Sequence, residues 1–148
     1  MNMYLKFVAM IFISTVIMFG LMYLNTYALD HVWFSETRTY MALIMGAAMA
    51  VIMLVFMWPM YPHRTLNIGI LVASALVFIT SLWLVRSQAT VDDVAYMKAM
   101  IPHHSIALLT SRRAQINDPR VRALADGIIQ SQEREITEME GLIHDLQK

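Results

Sequence analysis

The chain contains no cysteine, and its first 85 residues are nearly free of charge. The absence of cysteine fits an oxidising compartment, where thiolate ligands would be lost to disulfides but methionine thioethers would not. Only five charged residues precede Arg86, and they are Lys6, Asp30, Glu36, Arg38 and Arg64. A region so poor in charge is not an ordinary soluble domain, and we expect it to be embedded in a membrane.

Three long apolar runs account for most of that region, namely Met3–Leu29, Tyr40–Trp58 and Leu66–Val85. Each run is long enough to cross about 30 Å of hydrocarbon as a helix. No ionisable residue lies in the middle of any run, which argues against a proton relay. We therefore predict an all-α protein in which residues 1–86 form a three-helix transmembrane region and residues 87–148 form a soluble helical hairpin.

The hairpin prediction depends on the pattern from Arg86 onward, where eight basic and nine acidic residues leave no positive excess to support nucleic-acid binding. Helical periodicity predicts two helices, Val91–Gln115 and Pro119–Gln147. Asp118 followed by Pro119 is typical of an N-cap and a first helical residue. Pro102 lies inside the first helix, where we expect it either to kink the helix or to start a new one.

Residues able to bind a soft or borderline metal ion recur at helical spacing along both predicted helices. The candidate metal ligands are Met97, Met100, His103, His104, Gln132, Glu135 and Met139. A hairpin that folds at Asp118 places His103 opposite Gln132, His104 opposite Ser131, and Met100 opposite Glu135. The side chains of this set are therefore expected to converge, although methionines and histidines at such spacing also occur as plain core and surface residues.

Two segments of the hairpin, MIPHHSIALLTSRRA and LADGIIQSQEREITEM, resemble the domain-of-unknown-function family 305. The resemblance covers Asp92–Leu146. It implies a ferritin-like or four-helix-bundle-related helical domain, often exported, of a kind implicated in copper or silver binding and resistance. The matching positions are Met100, His103, His104, Ala107, Ala125, Ile128, Gln132, Glu135 and Met139. One departure is Thr110, since many members carry a methionine there; the resemblance then implies a site that is poorer in sulfur or that uses Met97 instead.

These observations predict a membrane-anchored metal-binding protein rather than an enzyme, serving metal homeostasis or resistance. The thioethers favour Cu(I), while Cu(II), silver and zinc remain open as ligands of a mixed nitrogen, sulfur and oxygen site. A two-helix hairpin cannot complete a core alone, so we expect a homo-oligomer whose tails form a larger bundle. The expected location is a bacterial-type inner membrane with the soluble domain on the periplasmic face.

Two other functions compete with this hypothesis. The second apolar run carries a methionine at every fourth position, a ladder formed by Met41, Met45, Met49, Met53 and Met57, which could pass copper or silver ions or could simply pack. The hairpin could alternatively be a metal-free oligomerisation module. A di-iron carboxylate enzyme is disfavoured, because no glutamate is followed three residues later by histidine.

Overall fold

A computed structural model describes residues 3–148, and that part of the chain contains helices and no strands. The α-helices are α1 (Met3–Leu21), α2 (Glu36–Phe56), α3 (Arg64–Ser87), α4 (Asp93–Arg113) and α5 (Pro119–Leu146). Short 3-10 turns at Leu29–His31 and Trp58–Met60 lie in the two loops that separate α1, α2 and α3. The prediction of an all-α chain is therefore confirmed for the described residues.

The first three helices are each long and apolar enough to cross a membrane, as the three hydrophobic runs predict. The first span is shorter than expected, because α1 ends at Leu21 whereas the apolar run continues to Leu29. Residues after Leu21 form turns instead of helix, and Thr26 donates its hydroxyl to the carbonyl oxygen of Tyr23. Hydropathy alone did not locate this end, because Leu24 and Leu29 are apolar but lie outside the helix.

Contacts divide the chain into two units, and the division does not follow the predicted boundary between residues 86 and 87. The first unit contains the chain up to Met22 and Thr37–Thr90, and the second contains Tyr23–Glu36 and Val91–Lys148. The loop between α1 and α2, which we call the first loop (Tyr23–Glu36), is thus part of the same unit as the C-terminal hairpin. The sequence did not predict this association, because the first loop and the hairpin are far apart along the chain.

The first unit has a small apolar core, in which Phe7 of α1 packs with Ala50 and Leu54 of α2 and with Tyr61. A hydrogen-bonded group beside this core connects α1 to α3. The Tyr4 hydroxyl donates to Asn67 Oδ1 at 2.9 Å, and the Asn67 amide donates to the carbonyl oxygen of Tyr61 at 2.9 Å. Asn67 is fully buried, so these bonds satisfy an amide that would otherwise be costly within an apolar region.

The methionine ladder of α2 belongs to this first unit. Met53 and Met57 are partly buried and pack against the apolar core that contains Phe7 and Tyr61. Met41 is exposed. Methionine suits such irregular gaps because its side chain is flexible and polarizable. These contacts give the two sulfurs a packing role and leave ion passage along the ladder as a prediction.

In the second unit α4 and α5 pack as a hairpin. Asp92 caps α4 by accepting a hydrogen bond from the Ala95 N–H at 2.7 Å, and Asp118 caps α5 by accepting from the Arg120 N–H at 2.8 Å. Asp118 with Pro119 at the first helical position is the arrangement that the sequence predicts. A single helix α4 continues through Pro102, so the alternative of a new helix beginning at this residue was wrong.

The first loop packs against the hairpin through polar and aromatic contacts. The Tyr27 N–H donates to Ser105 Oγ at 2.7 Å, and His31 Nδ1 lies 2.9 Å from the same oxygen. Arg112 donates to the Tyr27 hydroxyl and lies over its ring, 5.0 Å from the centroid. These contacts make the first loop part of the same unit as the hairpin.

Candidate functional site

An open cleft of about 480 Å³ lies along the α4–α5 hairpin and collects most of the predicted metal ligands. Five of the seven line it: Met97, Met100, His104, Glu135 and Met139. Asp93, Tyr96, Glu138, Leu142 and Leu146 complete the lining. The predicted stripes of the two helices therefore face each other across the cleft, because residues three and four apart lie on one face of a helix.

His104 occupies the wall of this cleft beside Glu135. Its Nδ1 atom lies 3.1 Å from Glu135 Oε2, but the two atoms are not aligned for a hydrogen bond, and Nδ1 is buried without a hydrogen-bond partner among the described residues. The side chain of His104 is only 15% exposed, and that of Glu135 is 39% exposed. A neutral imidazole keeps a lone pair on one of its two ring nitrogens, so a buried histidine beside a carboxylate is suited to bind a metal ion.

The electrostatics of the cleft keep His104 neutral. Desolvation lowers the pKa of His104 below its ordinary value of 6.5, and the neighbouring His103 lowers this pKa further when it is charged. The Glu135 carboxylate acts in the opposite direction but is outweighed. Only a neutral imidazole can bind a metal ion, so burial prepares this residue for ligation at neutral pH.

Three thioethers line the same cleft as the imidazole. Met97 is buried, while Met100 and Met139 are partly exposed along the cleft. Met97 forms an apolar cluster with Ile101, Ile136 and Ile143, against which Met139 also packs. We call this group the hairpin cluster. Met97 and Met139 therefore contact the core of the hairpin and also line the cleft.

His103 and Gln132 do not line the cleft. His103 is exposed, and its ring centroid lies 6.0 Å from that of His104. His104 lies next to Glu135, the predicted partner of Met100, and the Ser131 hydroxyl donates to Glu135 Oε1 at 2.8 Å. Helical side chains lean toward the N-terminus of their own helix, so residues that touch across an antiparallel pair are offset from residues whose backbones are level.

Comparison with known proteins assigns the family. Residues 88–148 match the family described as a domain of unknown function, DUF305. An uncharacterized protein, L153, of Acanthamoeba polyphaga mimivirus is 35% identical over 106 residues, which cover 70% of this chain and 68% of the viral one. The chain belongs to the DUF305 family. No solved structure matches it.

The similarity to the viral protein extends beyond the DUF305 segment. A match over 70% of the chain is longer than residues 88–148, so it includes part of the preceding apolar region. The one departure from the DUF305 pattern, Thr110, lies away from the cleft. Its hydroxyl is exposed and is within 3.1 Å of the carbonyl oxygens of Ile106 and Ala107. Met97, which the sequence names as the substitute sulfur, lines the cleft of this DUF305 chain.

The donor atoms that line the cleft suit one class of metal ion better than another. Within residues 3–148, no group of three or more histidine, cysteine, aspartate or glutamate side chains is placed to hold a metal ion. The carboxylates around His104 therefore do not form a ready site for a hard or borderline ion. Thioethers are a different class of donor, and with one imidazole they suit a soft monovalent ion that needs few ligands.

Some residues of this unit escaped the prediction. Tyr96 and Leu146 also line the cleft. Tyr96 lies four residues before Met100 and Leu146 lies four residues after Leu142, so each lies one helical turn from another lining residue. Extending the helical spacing would have found both. The contribution of the first loop, including Trp33, carries no such periodic signal.

Proposed function

We propose that this DUF305 protein is a membrane-anchored metal-binding protein that captures a soft monovalent ion, Cu(I) or Ag(I), in the cleft between α4 and α5. The observation that carries the proposal is the buried His104 imidazole, 3.1 Å from Glu135 Oε2, in a cleft that Met97, Met100 and Met139 also line. Capture rather than catalysis is the proposed role, in the service of metal homeostasis or resistance.

The chemistry of the donors supports a monovalent ion over zinc. Zinc sites usually have three or four histidine, cysteine or carboxylate ligands. The described part of the chain does not bring three such side chains together in a position to hold a metal ion. Cu(I) and Ag(I) accept thioether sulfur together with imidazole nitrogen. Glu135 beside His104 adds a negative charge that would favour a cation in the cleft.

The position of the cleft in the chain supports capture at a membrane surface. The three apolar helices would hold the second unit at the bilayer, and we propose a bacterial-type inner membrane with the hairpin on the periplasmic side. A homo-oligomer is part of the proposal, because large apolar side chains of the hairpin, such as Leu124 and Leu146, remain exposed in one chain. His103 and Gln132 would then be available to a second chain.

Titration of the purified full-length chain in detergent with Ag(I), followed by calorimetry, tests the proposal. Full-length protein is required because the first loop is part of the unit that holds the cleft. The test variant replaces Met97, Met100 and Met139 by leucine, which conserves volume and removes the sulfurs. The matched control replaces Met45, Met49 and Met53 of the α2 ladder in the same way.

Saturable binding by the wild-type chain and the ladder variant, together with loss of binding by the cleft variant, is the expected result. Zn(II) titrated in parallel is expected to bind far more weakly than Ag(I). Equal Ag(I) binding by the cleft variant and the wild type would refute the proposed site. If only the ladder variant lost Ag(I) binding, the binding site would instead lie among the apolar helices, and this result would favour the transport hypothesis.

A further inference from the structure

The aromatic side chain of Trp33 connects the first loop to the cleft region of the hairpin. It packs against the hairpin cluster, which contains Met97 and against which Met139 also packs. The ammonium group of Lys98, on α4, lies 5.7 Å from the centroid of the Trp33 ring. The loop thus reaches the residues that carry two of the three cleft sulfurs.

The position of Trp33 is secured by the rest of the first loop. Tyr27 and His31 both contact Ser105, which is completely buried and directly follows His104 in the chain. The Tyr27 ring and hydroxyl engage Arg112 near the other end of α4. These contacts extend along α4, so the loop can influence the helix at the turns that bear both Met97 and His104.

We propose that Trp33 is a positioning residue for the cleft, holding the hairpin cluster so that Met97 and Met139 present their sulfurs to a captured ion. The inference rests on the proposed function and adds that the first loop, outside the DUF305 segment, is a working part of the site. Residues that support ligands from behind commonly change metal affinity when they are replaced.

The state of the Trp33 indole defines a sharp substitution test. Its Nε1 atom is buried without a hydrogen-bond partner in the described structure, so the ring acts through its shape and its face rather than through its N–H. Phenylalanine keeps an apolar ring that can pack and face Lys98, whereas alanine removes both contacts. Phenylalanine at position 33 should therefore preserve the Ag(I) affinity of the cleft, whereas alanine should not.

The experiment measures Ag(I) affinity of the full-length chain in detergent for wild type, Trp33→Phe, Trp33→Ala and Leu29→Ala. Leu29 is a matched control, since it lies in the same loop and is 90% exposed. The expected Kd rises by about tenfold or more for Trp33→Ala and changes by less than about threefold for the other two variants. An unchanged Kd in Trp33→Ala would overturn the inference.

A second measurement leaves position 33 intact and does not depend on whether Trp33→Ala folds. With Trp58 and Trp83 replaced by phenylalanine, Trp33 is the one remaining tryptophan. Its emission is expected to change in proportion to Ag(I) binding, and His104→Ala is expected to abolish the change. If the single-tryptophan chain binds Ag(I) without any change in Trp33 emission, the positioning role is refuted and the proposed function stands. If the wild-type chain does not bind Ag(I), the proposed function is refuted as well.

Discussion

The backbone N–H of Tyr27 donates a 2.7 Å hydrogen bond to the side-chain oxygen of Ser105, which lies 78 residues later in the chain. Ser105 is fully buried, and its Oγ also contacts His31 Nδ1. This one hydroxyl therefore connects the first loop to α4. Few other polar contacts of the second unit join segments so distant in sequence.

Replacing Ser105 by alanine is expected to destabilise the second unit. The substitution removes the acceptor of a part-buried hydrogen bond from the Tyr27 N–H, at a cost of about 0.5–1.5 kcal/mol. Thermal unfolding of the full-length chain, followed by circular dichroism, measures the effect. Ser111→Ala is the control, because the Ser111 carbonyl oxygen that accepts from Arg122 is retained. Equal melting temperatures for the two variants would contradict the assigned role of the loop contact.

The close approach of α1 and α2 at Gly46 gives a prediction for the membrane unit. A Cβ atom on Gly46 would overlap Thr15 Oγ1 and lie 3.3 Å from Thr15 Cβ, while Gly69 has open space around it. Gly46→Ala should cost about 1–3 kcal/mol through overpacking, and Gly69→Ala should be tolerated. Thr15→Ala in the Gly46→Ala background should restore part of the loss. Equal unfolding of the two glycine variants in detergent would contradict this helix contact.

The depressed pKa of His104 predicts how ion capture depends on pH. Because desolvation holds the pKa of His104 below 6.5, more than half of the imidazole is neutral at pH 6.5, and the midpoint of the loss of Ag(I) affinity should lie at lower pH. Calorimetric titrations between about pH 7.5 and 5 measure the midpoint. The His104→Ala variant should lose this dependence. A wild-type midpoint at or above pH 6.5 would contradict the inferred environment.

The same pKa shift makes folding pH dependent. The unfolded chain takes up the His104 proton at a higher pH than the folded chain, so the free energy of unfolding should fall as the pH drops below 6.5. Well above pH 6.5 this residue should have no effect, because the imidazole is then neutral in both states. His104→Gln should flatten the fall in melting temperature between about pH 6.5 and 5.5, whereas an unchanged slope would refute the shift.

Features governed by local sequence were predictable. Three apolar runs gave the three spans, and Asp118 with Pro119 gave the start of α5. The stripes that bring Met97, His104 and Glu135 to one cleft followed from helical spacing. These features depend on residues within a few turns of one another, where periodicity and capping decide the structure.

Long-range packing was not predictable from the pattern. The first loop looked like the end of an apolar span and a short connection, but Tyr27, His31 and Trp33 all contact the hairpin. No periodic signal pairs Tyr27 with Ser105. The sequence also could not rank His103 and His104, because adjacent helical residues point about 100° apart and only the packing of α5 shows which one faces the cleft.

The contrast between these two histidines gives the most direct test of the central claim, that His104 and the cleft methionines capture a soft ion. Ag(I) titration of full-length His104→Ala and His103→Ala, under identical conditions, separates them. We expect His104→Ala to lose tight binding and His103→Ala, altered at an exposed residue outside the cleft, to keep it. Tight binding retained by His104→Ala, or lost only in His103→Ala, would show that His104 is not a ligand.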